Sequence, residues 1–496
     1  MKVDPFDSEA LRRGLKKRTV RSAKVTLLSQ AAIFGSQFVG GILLARALDP
    51  AVFGIVGMTI AITGFLDTFR DLGLSAATVQ AKEITRRQLT SLFWINVAVG
   101  ALLSGLTCAA APVLGWFYGR ADVQMVTLAL SATFLISGLS AQQYAVLRRT
   151  MQFGVIARTE VAAMVLSYAF ALAAAHNGWG VWSLVVQRLS RLVMTSIGLW
   201  ISTGWRPGAP TWDPSTKGML RFGGFLALNN IMNYAARNVD NIAIGKVWGA
   251  HALGLYSRAY NLLTLPLSQI GTPLAQVAIP AFSRLRDEPE KFRTSFITMQ
   301  QSISMAVVPF VAALVSCAEP TILLLLGEKW REAASIYRWL AASAVTQPIA
   351  TTCGILFVAS GRSKEMSKST LINSALAVIS ILAALPWGPV AVAASYSLSG
   401  LLLRTPILFY YSGKMTAVTS KDLLATLIPA VVLGAGIIAA NQIILTSFGP
   451  FDHGIAIAVA LVVAAAATGA MWLLSRRARI AVRESMSLVR AATGRN

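Results

Sequence analysis

Residues 221–249 read RFGGFLALNNIMNYAARNVDNIAIGKVWG, an apolar run long enough to cross a bilayer as a helix. Charged side chains nevertheless interrupt it, because Arg237 and Asp240 stand three residues apart near its middle. Together with Asn230 and Asn233 they recur at a spacing that keeps them on one helical face. Ionisable residues inside a span usually face a bundle interior or a water-filled cavity. The stretch therefore predicts a membrane helix with one polar face along a passage.

The composition extends this interpretation to the whole chain. Of its 496 residues, 55% are hydrophobic and 13% are charged, whereas soluble domains carry roughly 25% charged residues. The net charge of +23 comes from basic clusters between apolar runs, which is typical of cytoplasmic loops and not of nucleic-acid binding. The three cysteines and three histidines are scattered, so we expect no disulfide framework, metal or other cofactor. The predicted fold class is an all-α polytopic membrane protein.

Apolar runs of about 20 residues, the length of one span, occur about fourteen times. The predicted spans lie near 25–46, 51–69, 91–116, 124–145, 156–176, 180–202, 219–248, 253–281, 295–317, 333–360, 367–385, 388–412, 422–447 and 454–475. Breaks such as "HNGWG" and "LPWGP" separate neighbouring spans, as expected for turns.

The distribution of lysine and arginine predicts the orientation of these spans. If the N-terminus is cytoplasmic, 33 of the 44 basic residues lie in segments on the cytoplasmic side, as the positive-inside rule requires. A basic N-terminal arm (1–24) and a basic tail (476–496) are then both cytoplasmic. No loop on the opposite side exceeds about 20 residues, the length of a single span, so no extracytoplasmic domain is expected.

An internal repeat accompanies this topology. A shift of 200 residues places 37–55 on 237–255, so that Gly54 meets Gly254 and Gln37 stands opposite Arg237. A second correspondence sets Trp179-Gly180 against Trp387-Gly388. Repeated halves are common in transporters. The predicted organisation is an N-lobe at 25–202, a cytoplasmic inter-lobe loop at 203–218, a C-lobe at 219–412 and two further helices at 413–475.

Arginines inside the spans indicate what the passage binds. Counting residues along each helix places the arginines of spans six, seven, eight and ten in the outer half of the bilayer. Acidic residues inside the spans are few. Because guanidinium groups match phosphate and carboxylate in bidentate geometry, we expect a cationic chamber for an anionic solute. The candidate substrate-binding residues are Arg188, Arg191, Arg237, Arg258, Arg338, Asn230, Asn233 and Gln37. For coupling to H⁺ or Na⁺, the candidates are Asp240, Glu160 and Asp67.

Each of these residues also has a structural interpretation. Arg237 and Asp240 can simply pair with each other between helices. Arg258 and Arg338 lie near helix ends and can reach headgroup phosphates, while Arg404, near the inner end of span twelve, can snorkel to the interface. Asp67 begins "DTFRDLG" at a helix end, which favours a loop-side structural role. These alternatives stay open at the level of the sequence.

Several stretches resemble a known family, in matching order over nearly the whole chain. They are LLARALDPAVFGIVGM (43–58), DLGLSAATVQ (71–80), QLTSLFWINVAVG (88–100), GWGVWSLVVQRLSR (178–191), LRFGGFLALNNIMNYAARNVDNIAIG (220–245), ALGLYSRAYNLLTLPLSQIGTPLAQVAIPAFSRL (252–285) and LLGEKWREAASIYRWLA (325–341). The resemblance is to the polysaccharide transporter family, the Wzx-like branch of the multidrug/oligosaccharidyl-lipid/polysaccharide (MOP) flippase superfamily. Within it, the chain is similar to exopolysaccharide transporters of the succinoglycan type.

The resemblance implies a MATE-like bundle of two pseudo-symmetric six-helix lobes plus two C-terminal helices. It also implies a non-enzymatic function in the bacterial inner membrane. This function is the flipping of undecaprenyl-pyrophosphate-linked oligosaccharides to the periplasmic leaflet by alternating access. The partners would be this lipid-linked sugar, membrane lipids, and a polysaccharide polymerase or co-polymerase. Two alternatives remain: a cation-coupled drug or metabolite exporter of the same broad fold, and a membrane polymerase or ligase for lipid-linked sugars.

Overall fold

The computed structural model describes residues 15–67, 69–70, 74–81, 83–211, 213, 217–449 and 451–474, and this part of the chain is almost entirely helical. Its helices are α1 (Leu15–Ala47), α2 (Pro50–Asp67), α3 (Leu74–Gln80), α4 (Arg86–Tyr118), α5 (Ala121–Arg149), α6 (Phe153–His176), α7 (Val181–Thr203), α8 (Lys217–Arg284), α9 (Pro289–Ser316), α10 (Ala318–Leu326), α11 (Ala333–Ser343), α12 (Thr346–Ala359), α13 (Ser363–Ala384), α14 (Pro389–Ser399), α15 (Thr405–Met415), α16 (Ser420–Phe448) and α17 (His453–Leu474). A π-helical segment, Gly400–Arg404, joins α14 to α15.

Twelve helical segments of the described chain are long and apolar enough to cross a membrane. They correspond to twelve of the predicted spans. The other two predicted spans, 219–248 and 253–281, lie in α8, a 68-residue helical segment interrupted by a non-helical backbone at Gly249. The prediction of an all-α polytopic membrane protein is therefore confirmed. The predicted basic arm 1–24 lies largely, and the tail 476–496 entirely, outside the described residues.

The chain divides into two compact units, Met1–Gly254 and Leu255–Asn496. In the first unit, α4 and α5 pack along each other, and Phe93 lies in a buried cluster with Trp205 and Leu74 of α3. The rings of Phe93 and Trp200 meet edge to face, with 5.8 Å between centroids, a favourable aromatic geometry. This cluster fixes the end of α7 against α4 and so orients the helix that carries Arg188. The predicted lobe boundaries themselves stay a prediction.

The second unit packs α9 against α16 and α17. Phe282, Phe292 and Phe296 contact one another by their rings in its core. At the start of α16, Thr419 and Asp422 form a capping box, and Asp422 also accepts two hydrogen bonds from Arg293 of α9, at 2.7 and 2.9 Å. A bidentate pair of this kind is among the stronger polar links between helices.

Two glycines in the first unit show the predicted repeat as a reciprocal contact. A Cβ placed on Gly54 would lie 1.7 Å from the carbonyl oxygen of Ala250, and one on Gly254 would lie 1.8 Å from that of Pro50. Positions 50 and 54 correspond to positions 250 and 254 in the 200-residue register. The contact of Gly54 with residue 250 and the contact of Gly254 with residue 50 are therefore the same contact, with the two halves exchanged. Reciprocal contacts are what a two-fold relation produces. Only glycine fits at either position, because a side chain would overlap a backbone carbonyl.

Candidate functional site

A polar cavity of about 560 Å³ lies within the first unit, among α2, α3, α5, α6 and α7. Its lining consists of Asp67, Arg70, Ser75, Thr133, Ser137, Ser140, Ala141, Tyr144, Arg148, Glu160, Gln187, Arg188, Arg191, Leu192, Thr195 and Leu199. All of these residues precede Gly254, so the first unit supplies every lining residue that the structure describes. The cavity is the place where the structure brings Arg188, Arg191, Glu160 and Asp67 together, four of the residues that the sequence identifies as candidates.

The helix α7 presents one polar stripe to this space. Arg188, Arg191, Thr195 and Leu199 follow one another at steps of three or four residues, which keeps them on one face at 3.6 residues per turn. The helix begins after Gly180, whose φ of 54° suits glycine. The sequence pattern correctly placed both arginines on a cavity-facing stripe.

The opposite wall comes from α5, which carries none of the candidates identified from the sequence. Thr133, Ser137, Ser140, Tyr144 and Arg148 recur at steps of four, three, four and four residues and all line the cavity. This is a helical polar stripe as regular as the one on α7. Its signal is present in the sequence but consists mostly of hydroxyl groups, which apolar helices also carry as back-bonded residues. Arg148 counts among the loop charges in the predicted topology and was missed for that reason.

Asp67 is the centre of the charge arrangement. Its carboxylate pairs with Arg188 of α7 at 3.7 Å and with Arg70 at 3.6 Å. The side chains of Asp67 and Arg188 are 34% and 38% exposed, because both face the open cavity. The hydroxyl of Tyr234 lies nearby and donates to the carbonyl of Ile60 at 2.8 Å. Asp67 lies at the end of α2, as expected, and its carboxylate also pairs with an arginine of another helix inside the cavity. Whether its role is structural or functional stays a prediction.

Glu160 forms the second acidic position. It lines the cavity together with Tyr144 of α5 and Arg191 of α7. The guanidinium carbon of Arg148 lies 5.9 Å from the centre of the Tyr144 ring, within the range of a cation–π contact. Tyr144 thus holds a basic group of its own helix at the cavity that Glu160 also lines.

The cavity carries a surplus of positive charge. Among the described residues, four arginines (Arg70, Arg148, Arg188 and Arg191) and two carboxylates line it. The carboxylates neutralise only part of this set: Asp67 holds Arg70 and Arg188, while Glu160 attracts Arg191 from a longer distance. A site of this composition attracts anions with several oxygens, such as phosphates and carboxylates.

The position of the cavity along the helices differs from the expectation. Arg188 contacts Asp67, the last residue of α2, and shares the cavity with Arg148, the penultimate residue of α5. Both of these helix ends are the ones predicted to be cytoplasmic, so the outer-half placement of Arg188 and Arg191 does not agree with the contacts. Residue counting assumes that all helices start at one level, whereas tilt and unequal length decide which residues become neighbours.

The remaining candidates whose side chains the structure describes do not line this cavity. Gln37 is half-buried on α1, and its backbone carbonyl oxygen accepts a hydrogen bond from the hydroxyl of Tyr168 at 3.3 Å. Asp240 is 7% exposed, and its carboxylate accepts the backbone N–H of Asn241 at 2.8 Å. Arg258, half-buried, and Arg338, exposed, belong to the second unit. The side chains of Asn230, Asn233 and Arg237 lie outside the described part, and so does any pairing of Arg237 with Asp240.

A buried polar network holds the short helix α3 in the cavity wall. Arg149 is 9% exposed and donates to the carbonyl oxygens of Thr78 at 3.0 Å and Ala81 at 2.6 Å. The amide of Gln142 donates to the hydroxyl of Thr78 at 3.0 Å and receives a bond from Asn96 at 3.4 Å. A helix of seven residues is not stable alone. These bonds satisfy carbonyl oxygens at the C-terminal end of α3 and hold the helix so that Ser75 lines the cavity.

Comparison with known proteins adds the family to this geometry. Residues 43–335 match a family described as "Polysaccharide biosynthesis protein". The teichuronic acid biosynthesis protein TuaB of Bacillus subtilis (strain 168) is 28% identical over 355 residues, 70% of this chain and 72% of that protein. The lipopolysaccharide biosynthesis protein WzxC of Escherichia coli (strain K12) is 25% identical over 70% of this chain and 71% of its own length. The succinoglycan biosynthesis transport protein ExoT of Rhizobium meliloti (strain 1021) is 25% identical, with 68% of each chain covered.

Solved structures share the fold. The inward closed conformation of the lipid II flippase MurJ aligns with a TM-score of 0.70, covering 91% of this chain and 99% of MurJ at 14% identity. An inward-facing multidrug resistance MATE family transporter of the MOP superfamily aligns with a TM-score of 0.58, covering 82% and 94% at 15% identity. The expected MOP-like architecture is thereby confirmed. This chain is a multi-pass membrane protein that belongs to the polysaccharide biosynthesis protein family.

Proposed function

We propose that the chain is a flippase for isoprenyl-pyrophosphate-linked oligosaccharides, with undecaprenyl pyrophosphate as the lipid carrier. The observation that carries this proposal is the arginine-rich cavity, whose surplus of positive charge suits a pyrophosphate and acidic sugars. The family and the succinoglycan and lipopolysaccharide biosynthesis proteins among its relatives support a sugar cargo. The MurJ-like fold supports a lipid-linked one. These relatives and fold neighbours include transporters and flippases, in agreement with the expectation that the chain is not an enzyme.

Arg188 and Asp67 give the binding step a physical basis. Before cargo enters, Asp67 acts as a counter-ion for Arg188. An entering phosphate offers more oxygens to the guanidinium than the single carboxylate at 3.7 Å does. The phosphate therefore displaces Asp67 and gathers Arg188, Arg191 and Arg148 around itself. The prenyl tail stays in the lipid, and the two repeated halves alternate access around the bound head group.

The displaced carboxylate supplies a site for ion coupling. A carboxylate whose arginine partner has turned to the cargo can bind an H⁺ or Na⁺ ion in place of that arginine. Asp67 is the first such group, and Glu160, beside Tyr144 and Arg191, is the second. Asp240 is a third candidate because it is buried in α8. Coupling then links the binding of cargo to an ion gradient without a further cofactor.

The cellular setting follows from this function. A flippase of this kind works in the bacterial inner membrane, with both termini cytoplasmic, and loads its cargo from the cytoplasmic leaflet. The cavity adjoins helix ends that are predicted to be cytoplasmic, which favours loading from that side. A polysaccharide polymerase or co-polymerase on the periplasmic side would consume the translocated repeat units.

Complementation of a strain that lacks the gene tests the proposal. Arg188→Gln, expressed at the wild-type level, is expected to reduce secreted polysaccharide by at least about tenfold, since charge-assisted hydrogen bonds are worth about 1.5–3 kcal/mol. Arg120→Gln is the matched control, because it removes an arginine outside the cavity that pairs with its near neighbour Asp122. Wild-type secretion by Arg188→Gln would contradict the cavity assignment.

A cation-coupled drug exporter shares the fold but not the charge. Such a protein needs a cavity in which carboxylates dominate, whereas four arginines line this one. We expect no ethidium efflux above background when the chain is expressed in a drug-sensitive host. Efflux that depends on Asp67 would favour the exporter over the flippase.

A further inference from the structure

Arg404 occupies an unusual position in the second unit. It ends the π-helical segment Gly400–Arg404 inside the span Pro389–Lys414. In this segment the N–H of Thr405 bonds the carbonyl of Gly400, five residues earlier. Such bulges are rare and often mark functional sites, because they turn a side chain and a carbonyl out of the regular ladder.

The side chain of Arg404 turns back along the span and does not extend toward the predicted cytoplasmic interface. Its guanidinium donates to the carbonyl oxygen of Tyr396 at 2.5 Å and lies 4.2 Å from the centre of the Tyr396 ring. A Cβ on Gly400 would lie 2.8 Å from the Arg404 Nη2. The charge therefore sits at the level of Gly400, in the middle of the span, and the snorkelling interpretation of Arg404 is wrong.

This charge has little compensation. Within the described chain no carboxylate pairs with Arg404, in contrast to Arg188, which Asp67 holds. The Arg404 Nε is buried and has no hydrogen-bond partner among the described residues. A charged side chain in mid-span costs several kcal/mol, so such residues usually serve binding or transport. A guanidinium with this environment is prepared to receive an oxyanion.

The repeat register connects this position with the first cavity. Trp179-Gly180 corresponds to Trp387-Gly388, a shift of 208 that sets Arg188 against Tyr396. The bulge thus brings the guanidinium of Arg404 onto Tyr396, the residue that corresponds to Arg188 in this register. Thr346, at the start of α12, lies beside Gly400, with its methyl group 3.7 Å from the position that a Cβ on this glycine would take. Arg404 thus lies near α12 in the second unit, while Arg188 of α7 shares its cavity with α5 in the first.

We propose that Arg404, supported by Tyr396 and Gly400, forms a second oxyanion site, in the second unit, for a phosphate or a sugar carboxylate. The cation–π contact and the carbonyl bond fix the guanidinium and leave its remaining N–H groups for the ligand. During transport the oxyanion would be a group of the cargo, and this part of the inference rests on the proposed function. Binding of small oxyanions by the isolated protein does not depend on it.

Calorimetric titration of the purified full chain in phosphatidylcholine nanodiscs tests this site, with inorganic pyrophosphate and glucuronate as probes. The Arg188→Gln background weakens the first cavity, so that the part of the remaining binding that depends on Arg404 reports the second site. Adding Arg404→Gln is expected to weaken that binding at least about tenfold, the loss of one charge-assisted contact. Arg404→Lys should restore part of it, which a purely structural arginine would not do. Lys414→Gln, which removes a cation over Tyr410 on the same span, is the control and should bind normally.

Equal binding by the Arg188→Gln single variant and the Arg188→Gln/Arg404→Gln double variant would overturn the site, as would no binding by the single variant. Competition by phosphatidylglycerol nanodiscs would assign the site to a lipid headgroup and overturn its role for the cargo. Neither result concerns wild-type translocation, so the flippase proposal would survive. Conversely, absence of translocation would leave a measured oxyanion site in place.

Discussion

Removing one partner of the Asp67–Arg188 pair should change anion binding in opposite directions, depending on which partner is removed. Asp67→Asn keeps the shape of the side chain and removes the charge that competes with an incoming phosphate. Arg188→Gln removes the group that the phosphate binds. The probe is inorganic pyrophosphate, titrated into the purified chain in neutral nanodiscs at fixed ionic strength.

The separation of 3.7 Å between the charged atoms sets the size of the first effect. Coulomb attraction at this distance is about 1 kcal/mol in water and about 4 kcal/mol at an effective dielectric constant of 20. Both side chains are about one third exposed, so the lower figure applies, as for other solvated pairs. Asp67→Asn should therefore strengthen pyrophosphate binding about fivefold, since about 1.4 kcal/mol corresponds to a factor of ten.

Arg188→Gln should weaken the same binding at least about tenfold, because a hydrogen bond to a charged group is worth about 1.5–3 kcal/mol. The double variant Asp67→Asn/Arg188→Gln should resemble Arg188→Gln, since a carboxylate that competes for an absent arginine has no effect. If both single variants weaken binding to a similar degree, the pair serves only structure and the displacement mechanism is refuted.

Three further perturbations have definite expected outcomes. Gly54→Ala should lower the free energy of unfolding by about 1–3 kcal/mol, because the added Cβ overlaps a carbonyl oxygen. Gly105→Ala is the control and should leave stability unchanged, because the space around its Cβ is open. Equal thermal unfolding midpoints for the two variants would contradict the close contact. Asp422→Asn should weaken the bidentate link to Arg293 and cost about 1–3 kcal/mol, while leaving pyrophosphate binding unchanged; a change in binding would be evidence against a purely structural link. Glu160→Gln should make translocation in proteoliposomes less dependent on an imposed pH or sodium gradient, and an unaltered dependence would exclude Glu160 from coupling.

The fold was largely predictable because hydropathy alone determines which segments cross a bilayer. The twelve apolar helical segments and the two arms of α8 occupy the positions that the sequence predicts. The repeat was also visible, and the reciprocal packing of Gly54 and Gly254 agrees with its 200-residue register. These features are local or periodic, and so they can be found without knowledge of tertiary contacts.

The site was only partly predictable. The stripe of Arg188 and Arg191 was evident from spacing, but the partner of Arg188 was not, because Asp67 lies at the end of a helix 121 positions earlier. Tyr144 and Arg148 were missed because hydroxyl groups and helix-end arginines are common in membrane proteins without any site. The bulge at Gly400–Arg404 depends on backbone geometry that propensity does not encode. Which helices face one another is decided by packing, and hydropathy places few constraints on that choice.

Translocation in proteoliposomes tests the central claim most directly. The cargo is a fluorescent, short-chain isoprenyl pyrophosphate that carries an acidic oligosaccharide, and a membrane-impermeant quencher reports how much of it leaves the outer leaflet. The wild-type chain should move the cargo well above the rate in protein-free vesicles, and Arg188→Gln should lose most of that rate while Arg120→Gln keeps it. A wild-type rate equal to that of protein-free vesicles, or an unchanged rate for Arg188→Gln, would contradict the proposed flippase function.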